Sequence, residues 1–172
     1  MSKQHYHAST YKAQNSIGYL IKRAHSMMLD VLEQVFADRS FSYIQYVILS
    51  WLRDGIAVNP KDICIQFRHD SGALTRVIDQ LADRGLLERV RRDRDRRKVE
   101  LQLTEAGRKT VEAMIPLVVE KLNLVLADFS SEEVAEFLRL LLKLNTRLQS
   151  TLDSKTAPAP AADVEAPAGS EA

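Results

Sequence analysis

Residues 71–104 read SGALTRVIDQLADRGLLERVRRDRDRRKVELQLT, Ser71 to Thr104, and within them the hydrophobic rhythm changes once. Leu74, Val77, Ile78 and Leu81 recur at steps of three and four, which puts them on one face of a helix. Asp70 or Ser71 can cap its start, and Gly85 stands where a left-handed C-terminal cap is wanted. Beyond Gly85 the period becomes two. Val99, Leu101 and Leu103 alternate with Lys98, Glu100 and Gln102, the pattern of a strand with one buried face, and Leu86 to Arg92 supplies its hairpin partner. The helix's other face carries Gly72, Ala73, Thr75, Arg76 and Asp79.

Upstream, Asn59 followed by Pro60 is an N-cap with proline at the first helical position, where a missing N–H costs nothing. It opens a short helix to Phe67. A short helix, a tight connection and a second helix with a small, polar outer face make a helix-turn-helix. Side chains that read base edges must reach the floor of the major groove, so the leading turns favour small residues with Thr, Ser or Arg to hydrogen-bond. Arg76 can take guanine bidentately or hold a phosphate. Gly72 costs helix stability by roughly 1 kcal/mol relative to Ala, which argues for a steric reason.

Arg89 to Lys98 hold seven positive residues and two negative ones, Asp93 and Asp95, an excess of five in ten residues of a chain whose net charge is only +1. Alone, such a run is ordinary solvated surface. Directly after a recognition helix it reads as a wing whose arginines enter the minor groove, where the potential is most negative. The two aspartates pre-order neighbouring arginines by forked hydrogen bonds.

The flanks are helical. Ile17, Leu20, Ile21, Ala24, Met28, Leu32 and Val35 define an amphipathic helix over roughly 15–37. Ser42 and Gln45 form a capping box that opens a second helix to about Asp54, ended by Gly55. Thr104 caps a long helix to about Ala127 in which Pro116 removes one backbone bond, and Ser130 with Glu133 caps a last helix. The fold class is therefore mainly α: about six helices and one β-hairpin wing. From Thr151 the composition turns to Ala, Pro, Ser, Thr and acidic residues, which predicts a disordered tail over 151–172.

The segments Leu74-Thr75-Arg76-Val77-Ile78-Asp79-Gln80-Leu81, Arg84-Gly85-Leu86-Leu87-Glu88-Arg89, Asp95-Arg96-Arg97 and Leu101-Gln102-Leu103-Thr104-Glu105-Ala106-Gly107, at these spacings, resemble the MarR-type winged helix-turn-helix regulators. The resemblance covers about residues 16–149. It implies a homodimer joined through helices at about 15–37 and 108–150, with a winged helix-turn-helix over about 41–104 and an N-terminal arm over 1–14. It also implies that Asp95 braces Arg97 for the minor groove; where many relatives have Asp-Pro before that aspartate, this chain has Arg92-Asp93. The expected partner is a pseudo-palindromic double-stranded DNA operator, contacted by Ser42, Ser71, Gly72, Ala73, Thr75, Arg76, Arg94, Asp95, Arg96 and Arg97. Family members commonly release their operator when a small, often phenolic or anionic, ligand enters a crevice beside the dimerisation helices. Tyr19, Arg23, His25, Tyr46 and Trp51 are the candidates here.

Other chemistries fall away. Of 172 residues, 45% are apolar and 27% charged, enough for one core and an appendage. The longest apolar run, Ala113 to Val119, is too short to span a bilayer, and the first twenty residues lack a secretory core; a cytoplasmic protein is expected. The single Cys64 cannot pair internally, and in the short third helix it is expected to be buried and inert rather than a redox sensor. His69, Asp70 and Ser71 are consecutive and cannot converge as a triad, His5 and His7 lack a third metal ligand, and the six glycines form no phosphate loop. No enzyme, cofactor or metal is expected. The rival reading is a winged-helix protein-interaction adaptor, which needs neither an arginine-dense wing nor a small recognition face.

Overall fold

The computed structural model describes residues 4–67, 71–91 and 99–156. After a 3-10 turn at Ala13–Asn15 come helices α1 (Ile17–Glu33), α2 (Tyr43–Arg53), α3 (Pro60–Phe67) and α4 (Ser71–Asp83), strands β1 (Leu87–Arg91) and β2 (Val99–Leu103), then helices α5 (Glu105–Val125) and α6 (Ser131–Thr156). This is the expected order of four helices, a hairpin and two helices.

The predicted caps are present as bonds. Gln45 N–H donates to Ser42 Oγ while Ser42 N–H donates to Gln45 Oε1. Ser130 and Glu133 exchange the same pair, and Asp62 N–H donates to Asn59 Oδ1. Gly55 and Gly85 have φ of +69° and +66°, the left-handed conformation that closes α2 and α4 without a Cβ penalty. α5 stays helical through Pro116.

Three boundaries differ from expectation. The first helix ends at Glu33 rather than near 37, because Val35, Phe36 and Arg39 donate to carbonyls three residues back and Phe36 turns into the core at 2% exposure. At the other end of the chain, α6 continues to Thr156. Leu152 follows Leu148 by one turn, and Gln149 donates to Asp153 across another, so helix persists past the compositional change; residues 157–172 lie outside the described residues. The N-terminal arm, expected to be mobile, is docked: Ile17 N–H donates to the Tyr6 hydroxyl at 2.9 Å, and Tyr6 meets Tyr11 edge-on.

The chain divides after Val125 into two compact units. In the first, Phe36, Ile48, Leu49, Ile63, Leu74, Ile78, Leu81, Leu101 and Val111 form a core in which none is more than 3% exposed. The hairpin is antiparallel, with Leu87 opposite Leu103 and Arg91 opposite Val99. Leu101 N–H also donates to the Val58 carbonyl, which seats the hairpin against the α2–α3 connection. The second unit contains α6, with Phe137, Leu138, Leu140, Leu142 and Leu148 exposed.

Candidate nucleic-acid interface

α4 divides its residues as its sequence does. Leu74, Ile78 and Leu81 are buried at 1% exposure or less, while Gly72, Ala73, Thr75 and Arg76 face solvent. The non-directional burial of three branched aliphatic side chains holds the helix to the core and leaves the small face outward. Ser71 opens α4, and Ser42 stands apart from that face, at the N-cap of α2, half-buried in its capping box.

Directional contacts then fix α4. Arg89 Nη2 donates to Asp79 Oδ1 at 2.6 Å, tying the base of the hairpin to the helix flank. Gln45 Nε2 donates to Gln80 Oε1 at 3.2 Å from α2. Past the last turn, Arg84 Nη1 donates to the Ser40 carbonyl at 2.7 Å, and its guanidinium lies 5.0 Å from the centre of the Phe41 ring. Sequence reasoning placed Asp79 on the outer face, found Gln45 only as a cap, and gave Gln80 and Arg84 no duty.

The hairpin joins α5 at a close approach. Thr104 Oγ1 donates to the Gly85 carbonyl at 2.7 Å and accepts from Gly107 N–H at 3.0 Å, while Thr104 N–H donates to the Leu86 carbonyl. A Cβ on Gly107 would fall on that same Leu86 carbonyl oxygen. The glycine of the Leu-Thr-Glu-Ala-Gly segment is thus a packing requirement. The expected wing contacts Arg94, Asp95, Arg96 and Arg97 lie outside the described residues.

The five candidate ligand residues fall in different surroundings. Arg23 lines a cleft of about 490 Å³ with Leu20, Ala24, Met27, Met28, Val31 and Val125. Tyr19 and His25 are exposed on α1. Tyr46 is half-buried in a ring cluster, 5.6 Å from Phe36 and 6.0 Å from Tyr43, and Trp51 is half-buried against the core. Burial, with neighbouring Tyr46 adding to it, raises the Tyr43 phenol above the ordinary tyrosine value. Cys64 is half-buried against the core. Among the described residues no group of three or more His, Cys, Asp or Glu could hold a metal ion, and no helix is long and apolar enough to cross a membrane.

A short helix, a second helix with an exposed small face and a two-stranded hairpin packed on one core define a winged helix-turn-helix DNA-binding protein. The MarR family model matches residues 41–99. The transcriptional regulator PecS of Dickeya dadantii is 30% identical over 127 residues, spanning 72% of this chain and 76% of PecS. Among solved structures, Bordetella bronchiseptica BpsR, whose DNA binding is regulated by 6-hydroxynicotinic acid, is 29% identical with a TM-score of 0.67, covering 78% of this chain and 96% of that one. Escherichia coli MarR in complex with operator DNA is 26% identical with a TM-score of 0.65, covering 78% and 99%. The chain belongs to the MarR family, and it is a DNA-binding transcriptional regulator.

Proposed function

We propose that the protein is a homodimeric repressor that grips a pseudo-palindromic operator and lets go when a small aromatic anion binds. The observation that carries this is the outward face of α4: Gly72, Ala73, Thr75 and Arg76 are exposed on a helix whose other side is locked into the core. Small residues there admit the helix to the major groove, and Thr75 and Arg76 supply hydrogen-bonding groups. Ser71 and Ser42 join them as contacts, and Arg94, Arg96 and Arg97, aimed by Asp95, reach the minor groove. The regulator acts where the chromosome is, in the cytoplasm, and no step of its action is catalytic.

Dimerisation uses the helices at about 15–37 and 108–150, and the tail over 151–172 adds nothing to either activity. The effector reading draws on BpsR, whose ligand is an aromatic carboxylate. In this chain Arg23, on the rim of an otherwise apolar cleft, is the group best suited to an aromatic acid's charge, with Tyr19, His25, Tyr46 and Trp51 as further contacts.

Gel-shift titration against the DNA upstream of the chain's own coding region, with and without a panel of aromatic acids including 6-hydroxynicotinic acid, tests the reading. Specific binding that one acid relieves is expected. Arg76→Ala is expected to narrow the gap between operator and random DNA by roughly 1–3 kcal/mol if it reads a base, and to weaken both alike if it clamps phosphate. Arg97→Ala weakens all DNA and flattens the salt dependence by about one unit of slope. If neither substitution alters binding to any DNA, the protein is an adaptor.

A further inference from the structure

Gln45 is 8% exposed, and both polar atoms of its amide are engaged. Ser42 N–H can only donate, so the amide oxygen faces it at 3.1 Å and the NH₂ group is turned to Gln80 on α4. For capping alone, glutamate at this third helical position would serve as well, since its charge also suits the positive end of a helix. An amide is what a bond to Gln80 Oε1 requires. One residue further along the same corner, Tyr43 N–H donates at 3.0 Å to Glu33 Oε2, from the last residue of α1. The end of α1, the start of α2 and the middle of α4 therefore form one hydrogen-bonded chain. The Leu74, Ile78 and Leu81 contacts beneath it are non-directional and tolerate sliding; the Gln45–Gln80 bond does not.

We propose that Gln45 and Gln80 are positioning residues that set the register of the recognition helix against the α1 end, and so the half-site spacing the protein accepts. The inference rests on the two-half-site reading above: if α1 belongs to the dimerisation region, the distance between the two α4 helices is fixed through this corner. In a two-fold protein that distance and the operator's half-site separation must match.

The probe is the operator recovered by selection from random duplexes with the wild-type chain, rebuilt with one or two base pairs added or removed at its centre. Gln45→Glu keeps a Ser-x-x-Glu capping box and deletes the donor to α4. Gln80→Met deletes the acceptor from an exposed side chain of similar length and helix propensity. The wild type is expected to lose about tenfold or more in affinity per inserted base pair, and each variant less than about threefold. Affinity for random DNA and sedimentation should not change. Combining Gln45→Glu with Gln80→Lys restores a donor–acceptor pair and should restore the spacing optimum. Variants that keep the wild-type spacing profile overturn the bridge and leave the two-half-site reading intact. Equal weakening on every duplex, random DNA included, also overturns it, since Gln80 would then be touching DNA. A wild type with no spacing optimum overturns the two-half-site reading and the proposal with it.

Discussion

Leu74 and Ile78 of α4 are each 1% exposed, whereas Leu138 and Leu142 of α6, also four residues apart, are 55% and 66% exposed. Both pairs lie on the apolar side of an amphipathic helix. The difference is what surrounds them. α4 is covered by α2, α3 and the hairpin of its own chain and is pinned at Asp79, Gln80 and Arg84, while α6 keeps its leucines in water. Helical periodicity thus fixes which face is apolar, but burial depends on whether the same chain supplies the cover. An uncovered stripe of this length belongs against another surface, and a second copy is the cover that the dimer reading assigns it.

The largest effect that tests this contrast is a matched truncation. Leu81→Ala removes a side chain with 0% exposure and is expected to cost about 2–5 kcal/mol in urea unfolding at every protein concentration. Leu142→Ala is expected to cost far less in dilute chain, and to show itself where the chain associates. There, sedimentation should fall from about twice 19.5 kDa toward that single-chain mass. Equal losses from the two substitutions in dilute chain would erase the distinction between the helices.

Next in size is Gly107→Ala. Alanine is the better helix former by about 1 kcal/mol, so a surface glycine in a helix would gain from the change. Here the new Cβ meets the Leu86 carbonyl oxygen, and α5 must back away from the turn that Thr104 ties to Gly85. A net loss of about 1–3 kcal/mol is expected, measured as a lower unfolding midpoint. A gain would show that α5 is not seated on the hairpin as closely as the structure has it.

Much of this was legible beforehand. The switch from period 3.6 to period 2 after Gly85, the two capping boxes and the two left-handed glycines all rest on local rules, and local rules are visible in sequence. The end of α1 was not, because Val35 continues the helical stripe and only the packing of Phe36 into the core decides that the chain turns. Nor were the Asp79–Arg89 and Gln45–Gln80 contacts legible. Each joins residues brought together by tertiary packing, and the sequence offers only polar side chains that could equally face water. The DNA-facing side of α4 was readable, since small and polar residues opposite Leu74, Ile78 and Leu81 leave little else for it to be. The ligand candidates were least so: aromatic and basic residues on α1 and α2 do not announce which of them packs in the core, as Tyr46 and Trp51 do.

Capping sharpens the comparison at a smaller scale. Ser42→Ala and Ser130→Ala delete the same kind of box, and each loses a hydroxyl acceptor worth about 1 kcal/mol. Ser42 is half-buried and its partner Gln45 also bridges to α4, while Ser130 is exposed. The Ser42 substitution is expected to cost more in chemical unfolding and to loosen amide exchange along α4. The Ser130 substitution should loosen only the first turn of α6. The reverse order would mean that the box at α2 is not coupled to the recognition helix.

The smallest expected effect is a pH dependence that one unit shows and the other lacks. Tyr43 in the first unit holds its proton more tightly folded than unfolded, first because it is buried and then because Tyr46 lies beside it. The folded state therefore binds more proton than the unfolded chain once pH exceeds the ordinary tyrosine value near 10. Its contribution to stability is complete below that pH and is lost as pH rises through the folded value. In the second unit, the hydrogen bond from Arg139 draws Glu136 down from its ordinary value, so its contribution is present above the unfolded value and lost as pH falls. Glu136 is exposed, and solvent screens that pair. Tyr43→Phe is therefore expected to shallow the alkaline fall of the unfolding midpoint, and Glu136→Gln to leave the acid limb where it was. A Tyr43→Phe curve that tracks wild type between pH about 9 and 11 would show that the phenol is no more enclosed than the glutamate.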